Sequence, residues 1–101
     1  MKHYILDGHN AVPCDDLLAW AKWFEKTERH VADEVVGDVR ISTVFLGSDH
    51  SFTGDPLLLF ETMVFGGPHD QEWVERYSTW DEAEAGHKAM VAKVKGEMNH
   101  E

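Results

Sequence analysis

Cysteine is almost absent from this sequence, since Cys14 is the only one among 101 residues. A disulfide within the chain and a zinc site built from paired cysteines are both excluded. The segment Met1–Asp7 has no apolar signal-peptide core, and no apolar run is long enough to span a bilayer. We therefore expect a cytoplasmic protein that makes no contact with a membrane.

Basic residues are also scarce, with 9 Lys and Arg against 19 Asp and Glu and a formal net charge of −10. Proteins bind nucleic acid largely through Lys and Arg contacts to phosphates, so direct nucleic-acid binding is disfavoured. An acidic surface instead attracts basic proteins or cations. The composition therefore predicts a basic protein partner, and it leaves open that the acidic surface mimics a nucleic acid.

Catalytic motifs are missing as well. The sequence has no GxSxG elbow around its serines, no GxGxxG or GxxxxGK[ST] phosphate loop and no HExxH pair. The pair Gly66-Gly67 is too short to hold a phosphate and is interpreted as a turn. We therefore assign no catalytic residue, cofactor or metal, and a non-enzymatic function is favoured over an enzymatic one.

What the sequence does contain predicts a single α+β domain over residues 1–101. Apolar residues follow Asp16 with helical spacing, and apolar and polar residues alternate after Gly37. The predicted elements, with a linker at Asn10–Asp16, are a strand at Lys2–Asp7, a helix from Asp15 or Asp16 to Gly37, strands at Val39–Leu46, Leu57–Phe65 and Gln71–Ser78, and a helix from Thr79 to about Gly96. This β-α-β-β-β-α order predicts a two-layer fold in which two helices pack on one face of an antiparallel β-meander.

The start of the last helix carries the clearest local pattern. Thr79 and Glu82 have the spacing of a capping box, in which each side chain binds a backbone N–H of the first turn. Gly86 lies inside the same helix, where glycine costs about 1 kcal/mol relative to alanine. We therefore expect this part of the helix to pack closely on the sheet.

Glu61 is unusual because a carboxylate interrupts the apolar run Leu57–Phe65. Arg40 and Arg76, on the neighbouring predicted strands, are candidate partners for a charge-assisted hydrogen bond. With Tyr77 added, these side chains form a candidate ligand-binding site, since two arginines and a tyrosine could hold a phosphate and stack a base. The alternative, which we favour, is a structural salt bridge on an uncovered face of the sheet.

The seven histidines raise the question of a metal site. In the predicted meander, one end of the sheet meets the start of the last helix, and imidazole and carboxylate ligands there would suit zinc or manganese. The residues that could gather at this end are His9, Asp49, His50, Asp81, Glu82 and His87. His87, however, falls on the apolar stripe of its helix, so a hydrogen-bonded core histidine is favoured over a metal ligand.

A partner-binding surface is the third candidate. Trp23 lies off the centre of the apolar stripe of its helix and Trp73 follows a polar turn, and exposed aromatic residues among acids are typical of protein-binding patches. The candidate residues are Trp23, Asp70, Glu72, Trp73, Glu75, Asp81, Glu82 and Glu84. The alternatives are partial burial of both tryptophans at the edge of a small core and an ordinary solvated acidic surface.

Three segments, Ile41–Gly47, Leu59–Gly67 and Arg76–His87, resemble a family of short proteins of uncharacterised function that tailed bacteriophages and bacterial prophages encode. The opening Tyr4–His9 also fits this family. The resemblance implies a small accessory protein that acts in the cytoplasm of an infected or lysogenic bacterium. It implies no catalytic residue.

Together these observations favour a small acidic accessory protein that binds and modulates a host or defence protein, by occupying a basic site such as one meant for nucleic acid. One alternative is a protein that binds a small ligand or nucleotide on the sheet face, with or without hydrolysis. Another is a minor virion component. The second face of the sheet is also available for a homodimer contact.

Overall fold

The computed structural model describes residues 2–98 of the chain. Its elements in chain order are β1 (Tyr4–Asp7), β2 (Asn10–Pro13), α1 (Leu17–Lys26), β3 (His30–Val36), β4 (Val39–Phe45), β5 (Phe60–Phe65), β6 (Val74–Tyr77) and α2 (Trp80–Met98). Strands β3 to β6 form a four-stranded antiparallel sheet in the order β3-β4-β5-β6, and β1 pairs with β2 in a separate hairpin. The α+β class and the antiparallel meander are confirmed, and the element order roughly matches the predicted one.

The core lies between the sheet and α2. Because side chains alternate along a strand, every second residue of β4 and β5 faces the helix. The largest fully buried side chains of the sheet are Ile41, Thr43, Phe45, Phe60, Thr62 and Val64. The helix contributes the buried residues Ala83, His87, Met90, Val91 and Val94. Each large apolar side chain buried here contributes about 1.5–3 kcal/mol relative to an exposed one.

The β1–β2 hairpin and α1 cover one end of the same sheet face. The indole Nε1 of Trp20 donates hydrogen bonds to the carbonyl oxygens of Tyr4 and Gly47, each at 3.0 Å. Trp23 packs edge to face on the buried ring of Phe45, with the ring centroids 5.8 Å apart. Both helices therefore lie on one side of the sheet, as predicted.

Helix α1 ends at Lys26, so the prediction that it continues to Gly37 is wrong. Residues His30–Val36 form β3 instead and pair with β4. The two-residue turn between these strands requires a positive φ, which glycine adopts without strain, and Gly37 has a φ of 61°. The β-branched residues of β3 fit the pleated, half-buried surface of a sheet, and this packing overrides the helical spacing that they also show.

The segment predicted as a linker, Asn10–Asp16, contains a strand. Within it β2 pairs with β1 along its whole length, from Tyr4 opposite Pro13 to Asp7 opposite Asn10. A proline at the end of the strand is compatible with this pairing, since proline is tolerated at strand ends and edges. Asp16 caps α1 as predicted, because its Oδ1 accepts the backbone N–H of Ala19 at 3.1 Å.

Helix α2 begins with the predicted capping box. The Thr79 hydroxyl oxygen accepts the N–H of Glu82, and the Glu82 carboxylate accepts the N–H of Thr79, both at 3.1 Å. A side chain on Gly86 would overlap the ring of Tyr77, which confirms the close packing of this turn on the sheet. No helix in residues 2–98 combines the length and the apolar character that crossing a membrane requires.

Candidate functional site

The residues that alternate with the core positions form the second face of the sheet, which we call the open face. The strand register places eleven residues on it. They are His30, Asp33 and Val35 of β3, Arg40, Ser42 and Val44 of β4, Glu61, Met63 and Phe65 of β5, and Val74 and Arg76 of β6. None of these residues belongs to the two hydrophobic core clusters of the described chain.

Two ion pairs cross strands on the open face. The Arg40 guanidinium donates to both oxygens of Asp33, at 2.9 and 2.7 Å, which is the bidentate geometry that arginine and a carboxylate favour. This hydrogen bond lowers the pKa of Asp33 and raises that of Arg40. The Nε of Arg76 donates to Glu61 at 2.9 Å. Both guanidinium groups therefore already have an anionic partner within the chain.

The two ion pairs bear directly on the predicted ligand-binding site, because they involve both of its arginines. Arg40, Glu61 and Arg76 do share the open face, but each arginine is held by its own carboxylate, as the favoured salt-bridge interpretation requires. Tyr77 lies on the opposite face, where its hydroxyl donates to Thr62 at 3.2 Å. The prediction that Tyr77 completes a site with the two arginines is wrong, because successive residues of a strand point to opposite faces.

A chain of polar side chains crosses the sheet beneath α2. His87 Nδ1 lies 2.7 Å from the Thr43 hydroxyl, which hydrogen-bonds to the Thr62 hydroxyl. The Tyr77 hydroxyl bonds to Thr62 from the other side, and burial raises the pKa of Tyr77. His87 Nε2 lies 3.4 Å from a carboxylate oxygen of Glu34. The favoured interpretation of His87 as a hydrogen-bonded core residue is confirmed.

The other residues of the metal hypothesis have structural contacts of their own. The Asp49 carboxylate accepts the backbone N–H groups of Ser51 and Leu58, each at 2.9 Å, and so holds its loop together. The ring of His9 stacks on Trp80 with the centroids 3.8 Å apart. Within residues 2–98, no three His, Cys, Asp or Glu side chains come together as a candidate metal site.

Six carboxylates belong to the β5–β6 turn, to β6 and to the start of α2, and we call them the acidic rim. They are Asp70 and Glu72 in the β5–β6 turn, Glu75 on β6, and Asp81, Glu82 and Glu84 at the start of α2. All six are exposed. Within residues 2–98, none of the six forms an ion pair with Lys, Arg or His. The six carboxylates of the rim therefore carry negative charge that no ion pair among the described residues neutralises.

Two members of the acidic rim also stabilise the fold. Asp70 accepts the backbone N–H of Gly66 at 2.7 Å, and Glu82 belongs to the capping box of α2. The side chains of Glu72, Glu75 and Glu84 make no hydrogen bond to any other described residue. These three glutamates are thus available to a partner without loss of a structural contact.

The two candidate tryptophans are half-buried, which confirms the alternative of partial burial at the edge of the core. Trp23 packs on Phe45, on the side of the fold formed by α1, and does not join the acidic rim. Trp73 lies between the acids of the rim. His69 stacks on its ring at 3.9 Å, and the Lys93 ammonium lies 3.9 Å from the ring centroid.

Two features escaped the sequence analysis. Val35 and Phe65 are exposed apolar residues of the open face, and recognition of β3 as a strand would have placed Val35 there. The other feature is a cavity of about 250 Å³ at the C-terminal end of α2. It is lined by Val39, Val64, Gly66, Pro68, His69, Trp73, Val94, Glu97 and Met98. Residue spacing does not indicate it, because it depends on how the β5–β6 turn meets the helix.

Comparison of the chain with protein-family models, with curated proteins and with solved structures finds no match.

Proposed function

We propose that this chain is a non-enzymatic binding protein that holds a basic partner protein against its acidic rim. The observation that carries the proposal is the exposure of six carboxylates, on the β5–β6 turn, β6 and the start of α2, without an ion pair among residues 2–98. By contrast, the carboxylates of the open face are neutralised by arginines. The rim therefore offers six unpaired carboxylates that a partner can reach.

The spacing of the rim's carboxylates supports a partner that contacts the rim with a basic surface. The chain from Glu72 to Asp81, nine residues further on, spans at most about 30 Å, because an extended chain rises about 3.3 Å per residue. Carboxylates grouped on this scale can occupy a site that binds phosphates through Lys and Arg. Trp73, between Glu72 and Glu75 in the chain, adds an aromatic contact of the kind enriched at interfaces.

The resemblance noted in the sequence supplies the setting for this proposal. A small protein of a bacteriophage or prophage acts in the cytoplasm of its bacterial host. The partner would then be a basic host or defence protein, and occupation of its nucleic-acid site would modulate that protein's activity. The setting rests on the resemblance alone, whereas the contact surface rests on the geometry of the rim.

The proposal is tested with a variant that neutralises the rim without touching a structural contact, Glu72→Gln, Glu75→Gln and Glu84→Gln. Tagged wild-type protein and variant are used to capture proteins from bacterial lysate at about 0.05 M salt and eluted at about 0.5 M salt, since screening releases electrostatic partners. A defined oligolysine peptide, titrated by calorimetry, serves as a second probe. We expect wild type to retain a basic protein and the peptide, and the rim variant to lose both.

The matched control removes the same number of charges elsewhere: Asp7→Asn, Asp15→Asn and Glu25→Gln. These side chains are exposed and lie on the hairpin and around α1. If the control loses binding as much as the rim variant does, net charge rather than the rim attracts the partner. If wild type captures no basic protein and does not bind oligolysine, the proposed function is wrong.

A further inference from the structure

The cavity at the C-terminal end of α2 has apolar walls that belong to the core of the fold. Val39, Val64 and Val94 line it, and all three are buried between the sheet and the helix. Its volume of about 250 Å³ exceeds the roughly 150 Å³ of an apolar cavity that takes up benzene. A molecule that consists of one aromatic ring and a short side chain therefore fits.

Trp73 is a fixed part of the wall, because both faces of its ring are covered. The His69 ring stacks on it with the centroids 3.9 Å apart, and the Lys93 ammonium lies 3.9 Å from its centroid. Two groups this close to one ring lie on opposite faces of it. A ligand in the cavity therefore meets the edge of the indole, and edge-to-face contact with a second aromatic ring is a favoured geometry.

The charge at the cavity is negative. Among the described residues that line it, Glu97 is the one carboxylate, and its Oε1 lies 3.2 Å from His69 Nε2. Glu97 makes no other hydrogen bond within residues 2–98, so its second oxygen can accept one from a ligand. Asp70 adds a further carboxylate beside the cavity, since it accepts the N–H of Gly66, a lining residue, at 2.7 Å.

These charges select the class of ligand. Lys93 contacts the ring of Trp73 but does not line the cavity. With Glu97 in the wall and a net charge of −10 on the chain, an anionic ligand is repelled and a cationic one is attracted. Apolar walls with a small number of polar groups that orient the ligand are typical of small-molecule sites.

We propose that this cavity binds a small aromatic amine, with the ring among the valines and the ammonium group donating to Glu97. The ring supplies apolar burial and the edge-to-face contact with Trp73, and the carboxylate supplies the preference for a cation. A ligand of about ten heavy atoms makes few contacts, so the dissociation constant should be about 0.1–1 mM.

Titration of isotope-labelled protein with phenethylamine, followed in NMR amide spectra, tests the proposal. Phenethyl alcohol and hydrocinnamate are the matched probes, because they carry the same ring with a neutral and an anionic end group. We expect phenethylamine to shift the amide signals of Val64, Gly66 and Glu97. It should bind about two- to fivefold more tightly than the alcohol, as a partly exposed ion pair allows, and hydrocinnamate should bind most weakly.

Reversal of the charge at Glu97 tests the contact with the ammonium group. In Glu97→Lys, hydrocinnamate should become the tightest of the three probes and phenethylamine the weakest. Glu84→Lys is the matched control, since it makes the same change at an exposed residue of α2 that does not line the cavity. The control should keep the wild-type order. If it reverses the order as well, net charge rather than Glu97 selects the ligand, and the proposed contact is wrong.

A larger side chain in the wall tests the location. Val94→Phe should abolish the shifts from all three probes, because it takes up space in the cavity. The dispersion of the amide signals shows whether this variant folds. If it does not, Met98→Trp replaces it, since Met98 also lines the cavity and keeps 45 % of its surface exposed.

The absence of a saturable shift at the lining residues with every probe up to about 5 mM, well above the expected dissociation constant, would overturn the proposal. So would shifts confined to another part of the molecule, or equal affinity for the amine, the alcohol and the carboxylate. The proposal is independent of the acidic rim. The rim variant should bind phenethylamine as wild type does, because none of its three glutamates lines the cavity.

Discussion

Gly86 shows how a single residue links the sequence to the packing of the sheet. It lies in the middle of α2, where glycine lowers helix stability relative to alanine by about 1 kcal/mol. A Cβ at this position would overlap the ring of Tyr77, whose hydroxyl is bonded to Thr62 beneath the helix. The absence of a side chain therefore lets α2 approach the sheet closely enough to cover the buried polar chain.

We expect Gly86→Ala to lower the free energy of unfolding by about 1–2 kcal/mol, because the cost of overpacking exceeds the gain in helix propensity. Gly96→Ala on the same helix is the matched control, since a Cβ there has no neighbour within 4 Å among the described residues. It should keep or slightly raise stability. Urea unfolding of both variants measures the difference, and equal effects would show that the Tyr77 contact does not matter.

Among single residues, those with local partners were predictable. The capping box of Thr79 and Glu82 involves residues three apart, so its spacing indicates the contact, and the cap of α1 was narrowed to Asp15 or Asp16, of which the structure has Asp16. For Glu61 the sequence indicates two candidate partners, Arg40 and Arg76, and does not decide between them. The register of β5 against β6 places Arg76 opposite Glu61, and Arg40 forms its ion pair with Asp33 instead.

At the scale of an element, the loop between β4 and β5 depends on the carboxylate of Asp49. Its oxygens accept the N–H groups of Leu58 and Ser51 and the hydroxyl of Ser51. These hydrogen bonds lower the pKa of Asp49 below its ordinary value of 3.8, and the bond from the Leu58 N–H has the largest effect. A group with a lowered pKa in the folded state stabilises the fold above its ordinary pKa, and the contribution is lost as the pH falls through the folded-state value.

We expect Asp49→Asn to be less stable than wild type by about 1 kcal/mol at pH 7, because a charged acceptor is replaced by a neutral one. The difference should shrink as the pH falls below about 3.8, where the wild-type carboxyl takes up its proton. Thermal unfolding between neutral and acid pH measures it. Asp38→Asn, at an exposed turn residue, is the control. A difference that stays constant down to acid pH would contradict the assigned role of the charge.

The main error of the prediction also lies at this scale. The apolar residues between Leu17 and Val35 fit helical spacing, yet the helix ends at Lys26 and β3 follows. The dipeptide Gly37-Asp38 between two β-branched runs is a hairpin pattern, which was interpreted only as a helix end. A short apolar run satisfies both periodicities, and pairing with β4 decides between them.

At the scale of the whole molecule, the dominant property is the net charge of −10. Within residues 2–98, the ion pairs involve the open face, the β3 edge and the end of α2, and the acidic rim has none. Repulsion among the uncompensated carboxylates opposes the compact state and is screened by salt.

We therefore expect the melting temperature at pH 7 to rise when the salt concentration increases from about 0.01 M to about 0.15 M, as the Debye length falls from about 30 Å to about 8 Å. The rim variant, with three fewer charges, should melt higher at low salt and respond less. Differential scanning calorimetry at a low, fixed protein concentration measures both. A melting temperature that falls with salt would mean that attractive ion pairs outweigh the repulsion.

The sequence by itself determined the α+β class, the capping box of α2, the close packing at Gly86 and the acidic surface, because each depends on composition or on residues a few positions apart. The tertiary structure alone decided that His30–Val36 is a strand, that Arg76 is the partner of Glu61, and that the arginines are neutralised. It also decided that the acidic rim stays unpaired among residues 2–98. These features depend on strand register and on contacts between distant segments, which residue spacing does not encode.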